Sequence, residues 1–428
     1  MIQKKIVLAG MLIMFGFCGS MDSVASASNL SKAEVVVEKN EVRNIGKNIQ
    51  ADGNGVLVKS GGKAVISGNI KAKDCGIRAE SSAITVYGNI KGGSSGVHLY
   101  QGVEADIYGN IEADEISIDY TDLDYYREYG EWRTYYGEGL AVVSDGSSSS
   151  KNEVNVKGNI RATGTGVRVN SGNVFIKGNI ESLIGNNALT LLTEELTSVK
   201  VEGDIFGNEK DSAVFMWSEP NAKLIVEGNI TARDCQSAIE IYGLSGEMDS
   251  LREMPAITVK TLNVESGDYF KALTHDENGE EIESKALAEA AAKATWYIVD
   301  ISQPTNGEIE VDGISTKEGL LVAHEGDKLT VTGAPKKGYR LTGIDAGSKA
   351  LVTENEDGTY TVTVERGGDV TISASFEAMP EMPLTGDQIP IKTAIFLAVV
   401  SITLLGMLWK TKRACKTCSF AYLQFFIL

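Results

Sequence analysis

The tripeptide Gly-Asn-Ile recurs at 68–70, 88–90, 109–111, 158–160, 178–180 and 228–230, with Lys47-Asn48-Ile49 and Gly203-Asp204-Ile205 as variants. Successive isoleucines stand 21, 20, 21, 49, 20, 25 and 25 residues apart. A period in this range is that of a solenoid, in which a repeat buries its apolar side only by stacking on its neighbours. Four residues before each isoleucine stand Ile45, Ile66, Val86, Ile107, Val156, Ile176, Val201 and Val226. Downstream come the pairs Val56/Val58, Ile77/Ala79, Val97/Leu99, Val167/Val169, Val214/Met216 and Ile239/Ile241. Apolar, mostly β-branched residues at period two form strands with one buried face.

A coil near 21 residues with at least two strands predicts an all-β fold, a right-handed parallel β-helix over 28–270. A left-handed hexapeptide helix would favour a shorter coil. The glycine before each asparagine suits a bend at positive φ, and the asparagine column reads as a stacked amide ladder rather than a ligand row. The 49-residue step marks an insert over 114–150. It carries Tyr120, Tyr125, Tyr126, Tyr129, Trp132, Tyr135 and Tyr136, together with acids such as Asp119, Asp122, Asp124, Glu128 and Glu131. Exposed aromatic faces stack on sugar rings and anchor protein contacts, so these seven residues are the expected ligand-binding group. The competing reading is a hairpin packed on the flank of the rod.

After the rod, 271–295 reads as a helical linker. Ser284 is the N-cap and S-K-A-L-A-E-A-A-A-K-A a semi-rigid spacer. Residues 296–377 return to alternating strands. Glu325-Gly326-Asp327-Lys328-Leu329-Thr330-Val331-Thr332, Pro335-Lys336-Lys337-Gly338-Tyr339 and Asp369-Val370-Thr371-Ile372-Ser373-Ala374-Ser375-Phe376 resemble bacterial repeat modules of the divergent internalin-B type. The resemblance implies a small extracellular all-β module, a stalk or adhesive spacer without catalytic residues.

Both ends read as targeting segments. Lys4 and Lys5, the apolar run Ile6 to Cys18 and Ala25-Ser26-Ala27 compose a signal peptide over 1–27. At the other end stands Met382-Pro383-Leu384-Thr385-Gly386, then the uncharged run Thr393 to Trp409, then Lys410, Lys412 and Arg413. This order resembles the L-P-x-T-G sorting signal of Gram-positive surface proteins, with Met382 in place of leucine. Pro383 fixes its own φ and holds Met382 extended. The resemblance implies a transmembrane sorting helix within 378–413 and two partners, a sortase and peptidoglycan. In it the bond after Thr385 is cut and the Thr385 carbonyl passes to a wall amine. Residues 414–428, with Cys415 and Cys418, form an atypical tail.

Charge narrows the partners. Of 40 Lys+Arg and 58 Asp+Glu, seven cations and two acids lie outside 28–385, leaving 33 against 56, a net −23. Such a surface argues against nucleic acid, which needs clustered cations. His98, His275 and His324 lie in separate segments without metal-ligand spacing, and no nucleophile or nucleotide motif appears. No cofactor is implied; calcium would suit the acid excess, but no motif supports it. The expectation is a non-enzymatic, wall-anchored adhesin or glycan-binding protein. The alternatives are a β-helical polysaccharide lyase or hydrolase, and a passive surface spacer. Cys75 and Cys235, at the same offset after their Asn-Ile, are six rungs and about 29 Å apart at 4.8 Å per rung, too far for a disulfide.

Overall fold

The computed structural model describes residues 33–119, 133–144, 151–184, 187–192, 196–217, 221–243, 254–276, 278, 280–380, 399–405 and 407. Among them the chain is almost wholly β. Ten parallel strands, from Val35–Val37 to Asp268–His275, stack as the first face of a rod. The second face runs upward from Val42–Ile45 and the third from Ile49–Ala51. Three short strands per turn give a coil of three faces, one more than the minimum the sequence demanded. At about 4.8 Å per rung, ten rungs make a rod roughly 43 Å long.

The register follows the repeat. Ile45 pairs with Ile66, Ile66 with Val86, Val86 with Ile107, and Ile107 with Val156 across the long step. The paired apolar residues of the first face, among them Ile77/Ala79, Val97/Leu99 and Ile239/Ile241, are fully buried. A buried side chain of this size contributes about 1.5–3 kcal/mol, so the stacked columns are the main source of the rod's stability.

The long step is not one excursion. Glu138–Val143 returns to the rod, pairing with Ser95–Tyr100 below and Val167–Val169 above, and buries Leu140 and Val142. Before it, Ile116–Asp119 and Arg133–Tyr136 form a two-stranded antiparallel ribbon. The expected insert therefore divides into a ribbon, a core strand and a segment that includes 145–150.

The top of the rod is capped. Helix α1 (Lys285–Ala294) starts at Ser284, whose hydroxyl accepts the Leu287 N–H. Its Leu287, Ala291 and Ala292 are buried in the same apolar cluster as Phe270 and Ala272 of the last rung. The helix closes the core instead of spacing two units, because an open last rung would leave those residues in water. The chain then enters Trp296–Ser302, which pairs in parallel with the rod's Ala256–Val264 and begins the second unit. That unit has a five-stranded array, with Ser315–Lys317 paired to Leu320–His324 at its edge, and a four-stranded sheet. Trp296–Ser302 lies between Leu320–His324 and Val370–Ala378, and Val370–Ala378 also pairs with Tyr339–Asp345. The other array is the antiparallel sheet of Gly307–Asp312, Lys328–Pro335, Tyr360–Val364 and Ala350–Glu354. Residues 399–405 and 407 are helical. Among the described residues no helix is long and apolar enough to cross a membrane, and most of the expected span Thr393 to Trp409 lies outside them.

Candidate functional site

The corner between the second and third faces is built by the repeat itself. The side-chain oxygen of Asn48 accepts the backbone N–H of Asn69 at 2.9 Å, and Asn69 serves Asn89 in the same way at 2.8 Å. The series continues through Asn110, Asn159 and Asn179 to Asp204 and Asn229, at 2.7 to 2.9 Å. In return, the N–H of Ile70 donates to the carbonyl of Asn89, and that of Ile111 to the carbonyl of Asn159. The amide ladder is thus a side chain-to-backbone ladder, and it crosses the 49-residue step unbroken. Only the oxygen is used as an acceptor, which explains why a carboxylate serves at Asp204.

The glycines of this corner have a different cause from the one the sequence suggested. Their φ values are not positive; the left-handed residues lie at another corner, at Asn40, Gly61, Ser81 and Gln101. What demands glycine is close approach. A Cβ on Gly88 would stand 2.2 Å from the Gly68 carbonyl oxygen, and one on Gly158 would stand 2.2 Å from that of Gly109. Lys47 is tolerated at this position because it belongs to the lowest described coil.

Just outside these glycines runs a second column. Gly46 and Ser67 are small, Tyr87 and Tyr108 follow, then Lys157 and Lys177. The Tyr87 and Tyr108 rings stack at 4.9 Å between centroids, 25° apart. Lys157 Nζ sits 4.1 Å from the Tyr108 centroid, closing the stack from above. Tyr87 is 54% and Tyr108 40% exposed. The sequence reading passed over this pair because each tyrosine is separated from the other by a full coil; the repeat alignment itself carried the signal.

Of the expected ligand-binding aromatics, Tyr135 and Tyr136 lie on the ribbon strand Arg133–Tyr136, opposite Ser117 and Ile116. Tyr120, Tyr125, Tyr126, Tyr129 and Trp132 lie outside the described residues, as does the sorting motif Met382, Pro383, Leu384, Thr385 and Gly386.

On the first face, Arg168 grips Glu138 with two hydrogen bonds, Nε to Oε1 at 2.6 Å and Nη2 to Oε2 at 3.0 Å. Burial alone would raise the Glu138 carboxyl; the Arg168 guanidinium, with His98 nearby, outweighs it and holds the carboxyl below its usual range. Cys75 and Cys235 are both free and buried, and burial pushes each thiol up to about 11. They do not share a column. Cys75 aligns with Ser95 on the first face, whereas Cys235 ends a third-face strand opposite Lys210, because the later coils are longer. Among the described residues, no group of three or more His, Cys, Asp or Glu could hold a metal ion.

The upper unit joins the rod by a dense set of contacts. The Leu262 N–H donates to the Gly367 carbonyl and the Asp369 N–H to the Lys260 carbonyl. Gly368, at φ +73°, lies where a Cβ would meet the Lys260 oxygen at 2.3 Å. Residues 297–380 match the family model of the divergent InlB B-repeat domain. No curated protein and no solved structure matched the chain. The B-repeat-type unit is locked further by Lys260, 2.8 Å from Asp300, and by Lys223, paired with Glu318. Its Arg366 reaches Glu325 at 2.7 Å and Glu289 of α1 at 2.8 Å. The match is consistent with a bacterial surface protein.

Proposed function

We propose that this chain is a wall-anchored surface protein of a Gram-positive bacterium whose rod presents a glycan-binding or adhesive face. The observation that carries the reading is the B-repeat-type unit fused to the end of a β-solenoid, directly before Met382-Pro383-Leu384-Thr385-Gly386. In this reading 1–27 are removed on export and the span 393–409 holds the precursor in the membrane. A sortase cysteine then attacks the Thr385 carbonyl, Gly386 leaves as an amine, and a peptidoglycan amine takes over the Thr385 acyl group. The mature rod, α1 and B-repeat-type unit then stand outward from the wall. We take the coil to be right-handed, the sense that about 98% of parallel crossovers adopt.

Three carboxylates of the rod favour a binding rather than a catalytic role. Glu138, Glu112 and Glu181 are engaged across rungs by Arg168, Lys91 and Arg161, whereas glycoside hydrolysis needs two carboxyls facing one groove. A passive spacer is the second reading, favoured by the rigid junction around Gly368. The test of anchoring is Thr385→Ala followed by cell fractionation. The protein is expected to leave the wall fraction for the membrane and medium; unchanged wall-bound protein would overturn the proposal.

A further inference from the structure

We infer that the Gly-Asn corner is itself a binding edge for a neutral polysaccharide, running from Gly46 to Lys157. The inference rests on the reading of the chain as a glycan-binding surface protein and assigns that binding to residues outside the aromatic insert. Three observations converge on this edge.

The first is the unused half of the ladder. Each asparagine oxygen is occupied by the N–H of the next rung, and that contact fixes the orientation of the amide. The amino groups of Asn48, Asn69, Asn89 and Asn110 find no partner among the described residues, and all four side chains are exposed. The result is a row of donors repeated at about 4.8 Å. A peptide strand would need donors and acceptors in alternation; a row of donors alone fits the hydroxyl and ring oxygens of a sugar chain.

The second is the aromatic ledge two residues away. Lys157 covers the upper side of the Tyr87–Tyr108 stack. Below Tyr87 the column falls to Ser67 and Gly46, and a Cβ on Gly46 would meet nothing within 4 Å. Only the small, exposed Ser67 lies in this column directly below Tyr87, so no ring of the column covers its lower face. Aromatic faces packed against an apolar ring face, beside donors for its rim, are the two elements of saccharide recognition.

The third is charge. The chain carries a net −18, and Asp106 and Glu104 flank the edge on the second face. The exposed Arg43, Lys47, Lys63, Lys71 and Lys157 offset these acids along the edge. No strong field of either sign therefore selects a charged ligand, and a neutral polymer is the class that the stacking face and the donor row fit.

The experiment uses the full-length protein with immobilised cellulose, mannan, chitin and starch, and hyaluronate as the acidic probe. Two variants separate fold from recognition. Tyr87→Ala removes the ledge; Asn89→Asp keeps the ladder acceptor, as Asp204 does natively, and removes the donors. Each is expected to weaken binding to the neutral polymer about tenfold or more, the loss of one good stacking or hydrogen-bonding contact, with an unchanged melting transition. Binding by the wild type that both variants retain would overturn the edge and leave the glycan-binding reading standing with its site elsewhere. Binding confined to hyaluronate would also overturn it. No binding to any polymer would reject both this inference and the glycan-binding reading.

Discussion

Gly158→Ala should be among the most damaging single-methyl additions to this chain. The new Cβ would stand 2.2 Å from the Gly109 oxygen and 2.5 Å from its carbonyl carbon, both backbone atoms of the coil below. Ordinary contact is about 3.5–4 Å, so the two coils must part by roughly an ångström. That corner holds the bond from Asn159 N–H to Asn110 Oδ1 at 2.8 Å and the bond from Ile111 N–H to the Asn159 carbonyl at 2.9 Å. Both would be stretched beyond useful range. Overpacking costs about 1–3 kcal/mol and two weakened hydrogen bonds about 1 kcal/mol each, so the expected loss is roughly 3–5 kcal/mol. The matched control is Gly46→Ala, where a Cβ meets nothing within 4 Å and φ is not positive. It should be neutral or more stable by about 0.4–1 kcal/mol through the unfolded chain. Urea unfolding of the full-length proteins, followed by far-ultraviolet circular dichroism, compares the midpoints. Equal midpoints for the two variants would refute the argument that close backbone approach selects these glycines.

Arg168→Ala should cost about 3 kcal/mol, because it strands the part-buried Glu138 without its guanidinium. The Glu138 carboxyl is held below its unfolded value, so its contribution is complete above the ordinary glutamate pKa and fades as pH falls through the folded value. Glu138→Gln should accordingly lose less stability than wild type on going from neutral pH to about pH 3, and an identical loss in thermal melts would refute the assignment. Cys75 and Cys235 should resist a thiol reagent at pH 8 until the chain is unfolded, since both thiols are pushed up to about 11. Rapid labelling of the native protein, or a crosslink between the two in non-reducing mass spectrometry, would contradict the stacking order.

The rod was legible because its core is periodic. Ile45, Ile66, Val86 and Ile107 share one offset from the Asn-Ile pair, and the structure stacks them in one column. The strands of 296–377 were legible from local alternation, and their internalin-B type from the resemblance of Glu325–Thr332, Pro335–Tyr339 and Asp369–Phe376. The matched residues 297–380 cover nearly all of that module. The core strand Glu138–Val143 was hidden because no Gly-Asn-Ile lies within the step and its neighbours are tyrosines and acids. The role of the glycines was misjudged because conformational freedom and close approach leave the same residue in a sequence; only the backbone distances separate them. The helix Lys285–Ala294 was visible from Ser284 and its alanines, but its use as a lid was not. Composition gives its small face, and only the last rung shows what that face covers. The Tyr87–Tyr108 ledge needs two coils to be placed in register before it exists.

The central claim is that this rod is displayed covalently on the wall, and the most direct measurement is mass spectrometry of the mature protein released from purified walls by muralytic digestion. The account predicts a C-terminal peptide that ends at Thr385, carries a peptidoglycan fragment on its carbonyl and lacks everything from Gly386 onward. Recovery of an intact chain through Leu428 from the membrane, with no Thr385-linked peptide in the wall, would contradict it.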